Sequence, residues 1–295
     1  MHIKVAENFR AVFYAPFYAT QALGFYGREG VETDLIISPA PAAAAPYLLD
    51  GTIDLSWGGP MRVMKARESD PSSPLVCFCE VAARDPFFLV GKSDRPEFRL
   101  ADLARRRLAT VSEVPTPWLC LQHDLRQDGI DPDRLERVAN RTMAENLEGL
   151  RSGALDVVQM FEPYASMALK SGIGHILCAA SARGPTVYTT FLATRDSIAR
   201  NRAAFAAMVR AVRRMQSWLG DHGSDELAAV VAPFYPDVAS DLLTNSLRRY
   251  HEAGVWARSP DVSREGFARL GASLLSGGFI SRTHAYEDCV DQSLY

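Results

Sequence analysis

The stretch from Leu48 to Pro60, LLDGTIDLSWGGP, returns in altered form from Leu150 to Pro163 as LRSGALDVVQMFEP. Both run Leu-x-x-Gly-x-(Ile/Leu)-Asp-(Leu/Val) and close on Pro. Each has a simple physical reading. A helix stops at Gly, where left-handed backbone is cheapest. A short apolar strand follows, with Asp near its start, and the loop ends on Pro, which suits the first turn of the next helix. A chain that makes this helix–strand–helix step twice is expected to build two related α/β units.

The flanking sequence agrees. HIKVA, VETDLIIS, TIDLSW and LVCFCEVA are strand-like, and alternate with helical APFYATQALGFYGREG, PAAAAPYLLDG and PMRVMKARES. A turn at Asp85-Pro86 opens a second set over roughly residues 87–185. There FFLVGK, RLATVS, LERVAN, LDVVQMF and HILCAA are strand-like, between helical LADLARR, TPWLCLQHDLRQDG, MAENLEGLRSG and EPYASMALKSG. TVYTTFLATRD reads as a long returning strand. Beyond Asp196 the chain is helical, with Phe205, Met208, Val209, Val212, Met215 and Leu219 at core-facing spacing and arginines on the solvated face. Such alternation predicts mostly parallel sheets with helices on their faces. Ligands of such sheets bind beyond the carboxyl ends of the strands. SWGG and MFEP are therefore candidate site loops, facing each other across a cleft.

Several functions are disfavoured. A formal charge of -3 leaves no basic excess for a phosphate backbone, so no nucleic-acid partner is expected. No apolar run approaches the roughly 20 residues that span a bilayer. MHIKVAENFRAVFYAP lacks the pattern of a signal peptide. The expected location is periplasmic if a leader has been removed and cytoplasmic if Met1 is the native start. The five cysteines, at 77, 79, 120, 178 and 289, are a poor disulfide framework. Cys77 and Cys79 would share one face of a strand, but no second Cys/His pair at zinc-like spacing accompanies them. Neither a metal nor a cofactor is expected.

In order, APFYATQALGFYGREGVETDL, LLDGTIDLSWGG, LADLARRRLATVSEVPT and LRSGALDVVQMFEPYA resemble the SsuA/THI5-like (NMT1-type) group of the type II periplasmic binding-protein fold. The tail from Leu247 to Tyr295 is similar to that group's closing helices. The resemblance implies two α/β lobes joined by crossovers near Ala83–Pro86 and Gly184–Thr190. One lobe would hold residues 1–84 and 190–295, and the other 85–189. It further implies a small organic ligand clamped by hinge closure, with an ABC permease as partner. Asn8, Phe9, Arg10, Phe13 and Tyr14 fall where members of the group line the cleft, and Phe161, Glu162, Pro163 and Tyr164 fit an aromatic-Glu-Pro-aromatic signature.

The residues themselves add further candidates. Ser38 opens a helix as a ligand donor or a cap. Ser56, Trp57, Gly58 and Gly59 follow a strand, and their glycines allow close backbone approach. Ser112, Glu113 and Thr116 occupy the corresponding strand-to-helix loop of the second set. Arg10 and Arg62 are the obvious anion partners, with Arg62 equally at home on a solvated helix face. A lining of Phe, Tyr and Trp with two carboxylates suits a flat, hydrogen-bonding ring such as a pyrimidine; a sulfonate is the other class the resemblance suggests.

The alternative is a cytoplasmic enzyme on the same fold, like the pyrimidine synthases and desulfinases of the group. No Gly-x-Ser-x-Gly, P-loop or His-Glu-x-x-His motif occurs. Cys120 and His123 would share a helix face and form a nucleophile–base pair if that face opened on the cleft; otherwise they are one buried thiol and one surface imidazole.

Overall fold

A computed structural model describes residues 1–7, 9–38 and 44–295. The chain begins with β1 (His2–Glu7), α1 (Ala15–Ala22), α2 (Phe25–Arg28), β2 (Glu32–Ile37), α3 (Ala44–Leu49), β3 (Leu55–Gly58), α4 (Met61–Ser69) and β4 (Leu75–Ala82). It continues with β5 (Phe88–Gly91), β6 (Leu108–Val111), α5 (Thr116–Gln127), β7 (Arg137–Arg141), α6 (Met143–Ser152), β8 (Val157–Met160), α7 (Tyr164–Lys170) and β9 (His175–Ala179). The return strand β10 (Thr189–Thr194) leads into α8 (Arg195–Arg200), α9 (Arg202–Asp221), α10 (Ser224–Val231), α11 (Ser240–Glu252), α12 (Arg264–Ser276) and α13 (Tyr286–Cys289).

These strands form two sheets of matching plan, ordered β2-β1-β3-β10-β4 and β7-β6-β8-β5-β9. Within each, the first strands pair in parallel: β1 with β2 and β3, β6 with β7 and β8. The expectation of mostly parallel sheets needs one amendment. Each sheet takes in one antiparallel strand, β10 in the first and β5 in the second, because each is a strand on which the chain arrives from the other sheet. The crossovers run side by side: Thr186 N–H donates to Ala83 C=O at 2.7 Å and Tyr188 N–H to Ala82 C=O at 2.9 Å.

The repeated phrase is a repeated structure. Gly51 and Gly153 both end their helices at φ +77°, the left-handed region that penalises a Cβ. Directly after the apolar Ile53, Asp54 accepts the Lys4 N–H at 3.0 Å, stapling the entry of β3 to β1. Asp156 does the same for β8, accepting the Arg107 N–H just before β6 at 2.9 Å.

Other expectations change in detail. The helix over 15–30 breaks at Gly24 (φ +68°), giving α1 and α2. LADLARR is a 3₁₀ turn over Leu100–Arg105 rather than an α-helix, and the long strand from Thr186 shortens to β10. Of PAAAAPYLLDG, residues 41–43 lie outside the described residues and α3 is the helical part. The shared face of Cys77 and Cys79 is overturned. Cys79 adopts φ +58° where the β4–β10 register slips, so Phe78 pairs with Phe191 and Glu80 with Thr190. That bulge carries Cys79 into the core cluster around Phe78, whereas Cys77 packs on the other side with Cys289 and Val290.

In α9 the apolar stripe from Phe205 to Leu219 is buried as its spacing predicts. Its exposed Arg210 and Arg214 hold Glu29 at 2.8 and 3.0 Å. The C-terminal helices reach the second sheet's helices twice, α11 against α7 and α12 against α5. No described helix is long and apolar enough to cross a membrane.

Candidate functional site

The loop after β1 turns through a 3₁₀ segment, Val12–Tyr14, that buries Phe13 and Tyr14 beside α1. Its rings reach the second half of the molecule. Phe9, half-buried, stacks on Phe161 at 6.1 Å and meets Tyr14 edge-on at 5.4 Å. Phe13 lies edge-on to Phe161 at 5.5 Å and to Tyr188 at 6.1 Å. Phe161 also contacts Phe87 at 5.1 Å. Thus rings from the first sheet's loop, the second sheet's loop and both crossovers form one cluster. Aromatic pairs at these separations contribute beyond their buried area.

Buried polar groups with open valences occur near the carboxyl ends of β2 and β3 and at the returning crossover. The Tyr188 hydroxyl and the Ser38 Oγ are buried without a described hydrogen-bond partner. The Trp57 indole stacks on Phe17 at 4.6 Å, 6.3 Å from the Tyr14 ring, and its Nε1 also has no partner among the described residues. Burial pushes the Tyr188 hydroxyl well above its ordinary pKa, so it stays a neutral donor or acceptor. An unpaired buried N–H or O–H forfeits a hydrogen bond that water would supply, so each of these groups has capacity for a further partner. Gly58 and Gly59 complete the turn. A Cβ on Gly59 would press Met61 Cγ at 3.2 Å, and one on Gly58 would sit 3.7 Å from Arg62 Nε. Arg62 is half-buried beside this turn rather than on a solvated face. Burial lowers its pKa and the Tyr14 hydroxyl opposes the shift.

Other candidates are committed to the fold. Arg10 turns to the buried Glu7 at 2.9 Å and the Phe234 carbonyl at 3.1 Å. Ser56 Oγ donates to the Ala6 carbonyl at 2.9 Å. Glu113 Oε1 accepts the Met143 N–H at 2.9 Å at the start of α6, while its Oε2 has no described partner. Ser112 is exposed, with its N–H on the Arg141 carbonyl at 3.0 Å, Thr116 is buried at the start of α5, and Tyr164 is half-buried at the start of α7. Asn8 lies outside the described residues.

Glu162 is wholly buried and fastened. Its Oε1 accepts from Arg249 Nε at 2.8 Å, and its Oε2 from the Ser166 N–H at 2.8 Å and Ser246 Oγ at 3.3 Å. The Glu162 N–H donates in turn to the Tyr250 hydroxyl at 2.8 Å. Lys170 and Asp241 add an ion pair between α7 and α11. Arg249 and Tyr250 carry no local signal in the sequence, because nothing relates 162 to 249 until α11 packs on α7. Tyr188 and Phe87 were legible as aromatics at the crossovers but were not singled out.

Cys120 is buried and its thiol is pushed up to about 12 by that burial, the reverse of an activated nucleophile. His123 is half-buried three residues on. Among the described residues no group of three His, Cys, Asp or Glu is placed to hold a metal.

Comparisons with known proteins place this geometry. The family model described as NMT1/THI5 like matches residues 12–223. YtlA of Bacillus subtilis, named as a candidate binding protein, is 24% identical over 294 residues, covering 99% of this chain and 88% of YtlA. The periplasmic aliphatic sulphonate binding protein SsuA from Escherichia coli superposes with a TM-score of 0.78 at 18% identity, covering 100% of this chain and 98% of SsuA. The desulfurization enzyme DSZB superposes with a TM-score of 0.68 at 14% identity, covering 99% and 97% of the two chains. The fold is therefore the two-lobed α/β arrangement of periplasmic binding proteins of the second type.

Proposed function

The chain belongs to the NMT1/THI5-like family, and from that premise we propose that it is a solute-binding protein that clamps one small aromatic or heteroaromatic molecule between its lobes. The observation that carries this reading is the ring cluster of Phe9, Phe13, Phe161 and Tyr188, drawn from both sheets' loops and a crossover. A flat ligand replaces ring–ring contacts with ring–ligand contacts, and the Trp57 Nε1, Tyr188 hydroxyl and Ser38 Oγ supply directional hydrogen bonds. The lobes divide in this reading at residues 84/85 and 189/190, with the paired crossovers absorbing the closure. Glu162 acts by holding the second lobe's loop to α11, so that Phe161 is presented at a fixed height.

The names of SsuA and YtlA support binding without chemistry, and an ABC permease is the proposed recipient of the ligand. The DSZB likeness keeps an enzyme reading on the same fold in view; the buried, raised Cys120 thiol disfavours a nucleophile there. A thermal-shift screen of the purified protein separates the two. The panel holds thiamine-type pyrimidines, aromatic and alkyl sulfonates, taurine, nitrate and riboflavin. Ligand at a hundred times its Kd adds about 2.7 kcal/mol of stability. One compound that raises Tm and is recovered unchanged supports binding; a compound recovered as a new product supports the enzyme.

A further inference from the structure

A cavity of about 280 Å³ lies between α5, β8 and the second-lobe ends of both crossovers. None of Phe9, Phe13, Phe161 or Tyr188 lines it. Its body is apolar, formed by residues such as Phe87, Phe88 and Leu121. Its polar wall is acidic: Asp124 and Asp128 face it with one guanidinium, Arg183. That guanidinium is held between two carboxylates. Its Nε and one terminal nitrogen donate to Asp124, and the other donates to the buried Asp85 at 2.5 Å.

Gln159, also in the wall, is 2% exposed. Its Nε2 donates to the Pro117 carbonyl at 2.9 Å. A carbonyl only accepts, so the amide orientation is settled, and Oε1 is left buried with no described partner. The buried open valence of this wall is thus an acceptor, Gln159 Oε1, set beside carboxylates that outnumber the cation, with the exposed Gln127 amide at the rim.

We propose that this cavity is a second ligand site, for a small organic cation with an apolar body, such as an arylalkylammonium. The ammonium donates to Gln159 Oε1 and the Asp124–Asp128 side, and the ring lies on Phe87, Phe88 and Leu121. Such an occupant touches Phe87–Phe88 of the outgoing crossover and Ala180–Arg183 of the returning one.

Calorimetric titration of the full chain with phenethylammonium, and with 3-phenylpropionate as the anionic match, tests the site. The amine is expected to bind at least about tenfold more tightly than the acid. Asp128→Asn, at an exposed position, should weaken the amine several-fold while leaving the melting curve unchanged. Ala182→Trp fills the exposed rim and should remove binding. No amine binding to the wild type, equal affinity for amine and acid, or undiminished binding to both folded variants overturns the site. So does loss of amine binding in Phe9→Ala with retention in Ala182→Trp, which would put the amine among the interlobe rings.

Discussion

Asp54 accepts the Lys4 N–H at 3.0 Å and Asp156 accepts the Arg107 N–H at 2.9 Å, and the helices before them end on glycines with the same φ of +77°. At their bases the two copies of the phrase are one device, which ends a helix and pins the next strand to its neighbour. Their tips differ. The first ends in Trp57-Gly58-Gly59, with an indole N–H that has no partner among the described residues and a turn that brings backbone close to Met61 and Arg62. The second ends in Phe161-Glu162, with one ring among the interlobe aromatics and a carboxylate saturated by α7 and α11. The base is architecture common to both lobes. One tip is left open to hydrogen bonding and the other is locked in place.

The comparison is sharpest at Arg249. Its loss strands the buried Glu162 carboxylate, and breaking such a pair costs about 3 kcal/mol. Arg249→Met should show that loss in urea unfolding, and an unchanged midpoint would mean the second tip is not locked by α11. At the bases, Gly51→Ala and Gly153→Ala each force a Cβ into left-handed backbone at about 1–2 kcal/mol. Similar losses in Tm for both would confirm one shared device, and a large difference would break the parallel. At the first tip, Trp57→Phe keeps a ring but removes the orphan N–H. Stability should hold while ligand affinity falls about tenfold, or 1.4 kcal/mol; a stability loss with unchanged affinity would make Trp57 part of the core alone.

The smallest effect concerns charge. The Asp156 carboxyl is held below its ordinary pKa, chiefly by the Arg107 N–H. A depressed carboxylate stabilises the fold above its unfolded pKa of about 3.9, and that stability is lost as pH falls through the lower folded value. Asp156→Asn should therefore cost about 1 kcal/mol near neutral pH and flatten the decline in acid. An identical acid profile in the variant would remove the staple from the account.

Much of the architecture was legible because it rests on local chemistry. Gly51 and Gly153 stop helices, Asp54 and Asp156 sit at strand entries, and the apolar stripe of α9 has helical spacing. What escaped depended on long-range packing. The bulge at Cys79 is imposed by the register of β10 against β4, so two thiols two apart do not share a face. At the site, the rings of Phe9, Phe13 and Phe161 were legible as candidates. The commitments of Arg10 to Glu7 and of Glu162 to Arg249 were not, since an ion pair has no signature until two distant elements meet.

The central claim is that rings from both lobes grip one ligand. The direct measurement is the Kd of the best compound from the thermal-shift screen for wild type, Phe9→Ala and Phe161→Ala, each first shown to be folded. Weakening of about tenfold or more in both variants is the predicted result. Full affinity in either one would place the ligand in a single lobe and contradict the clamp.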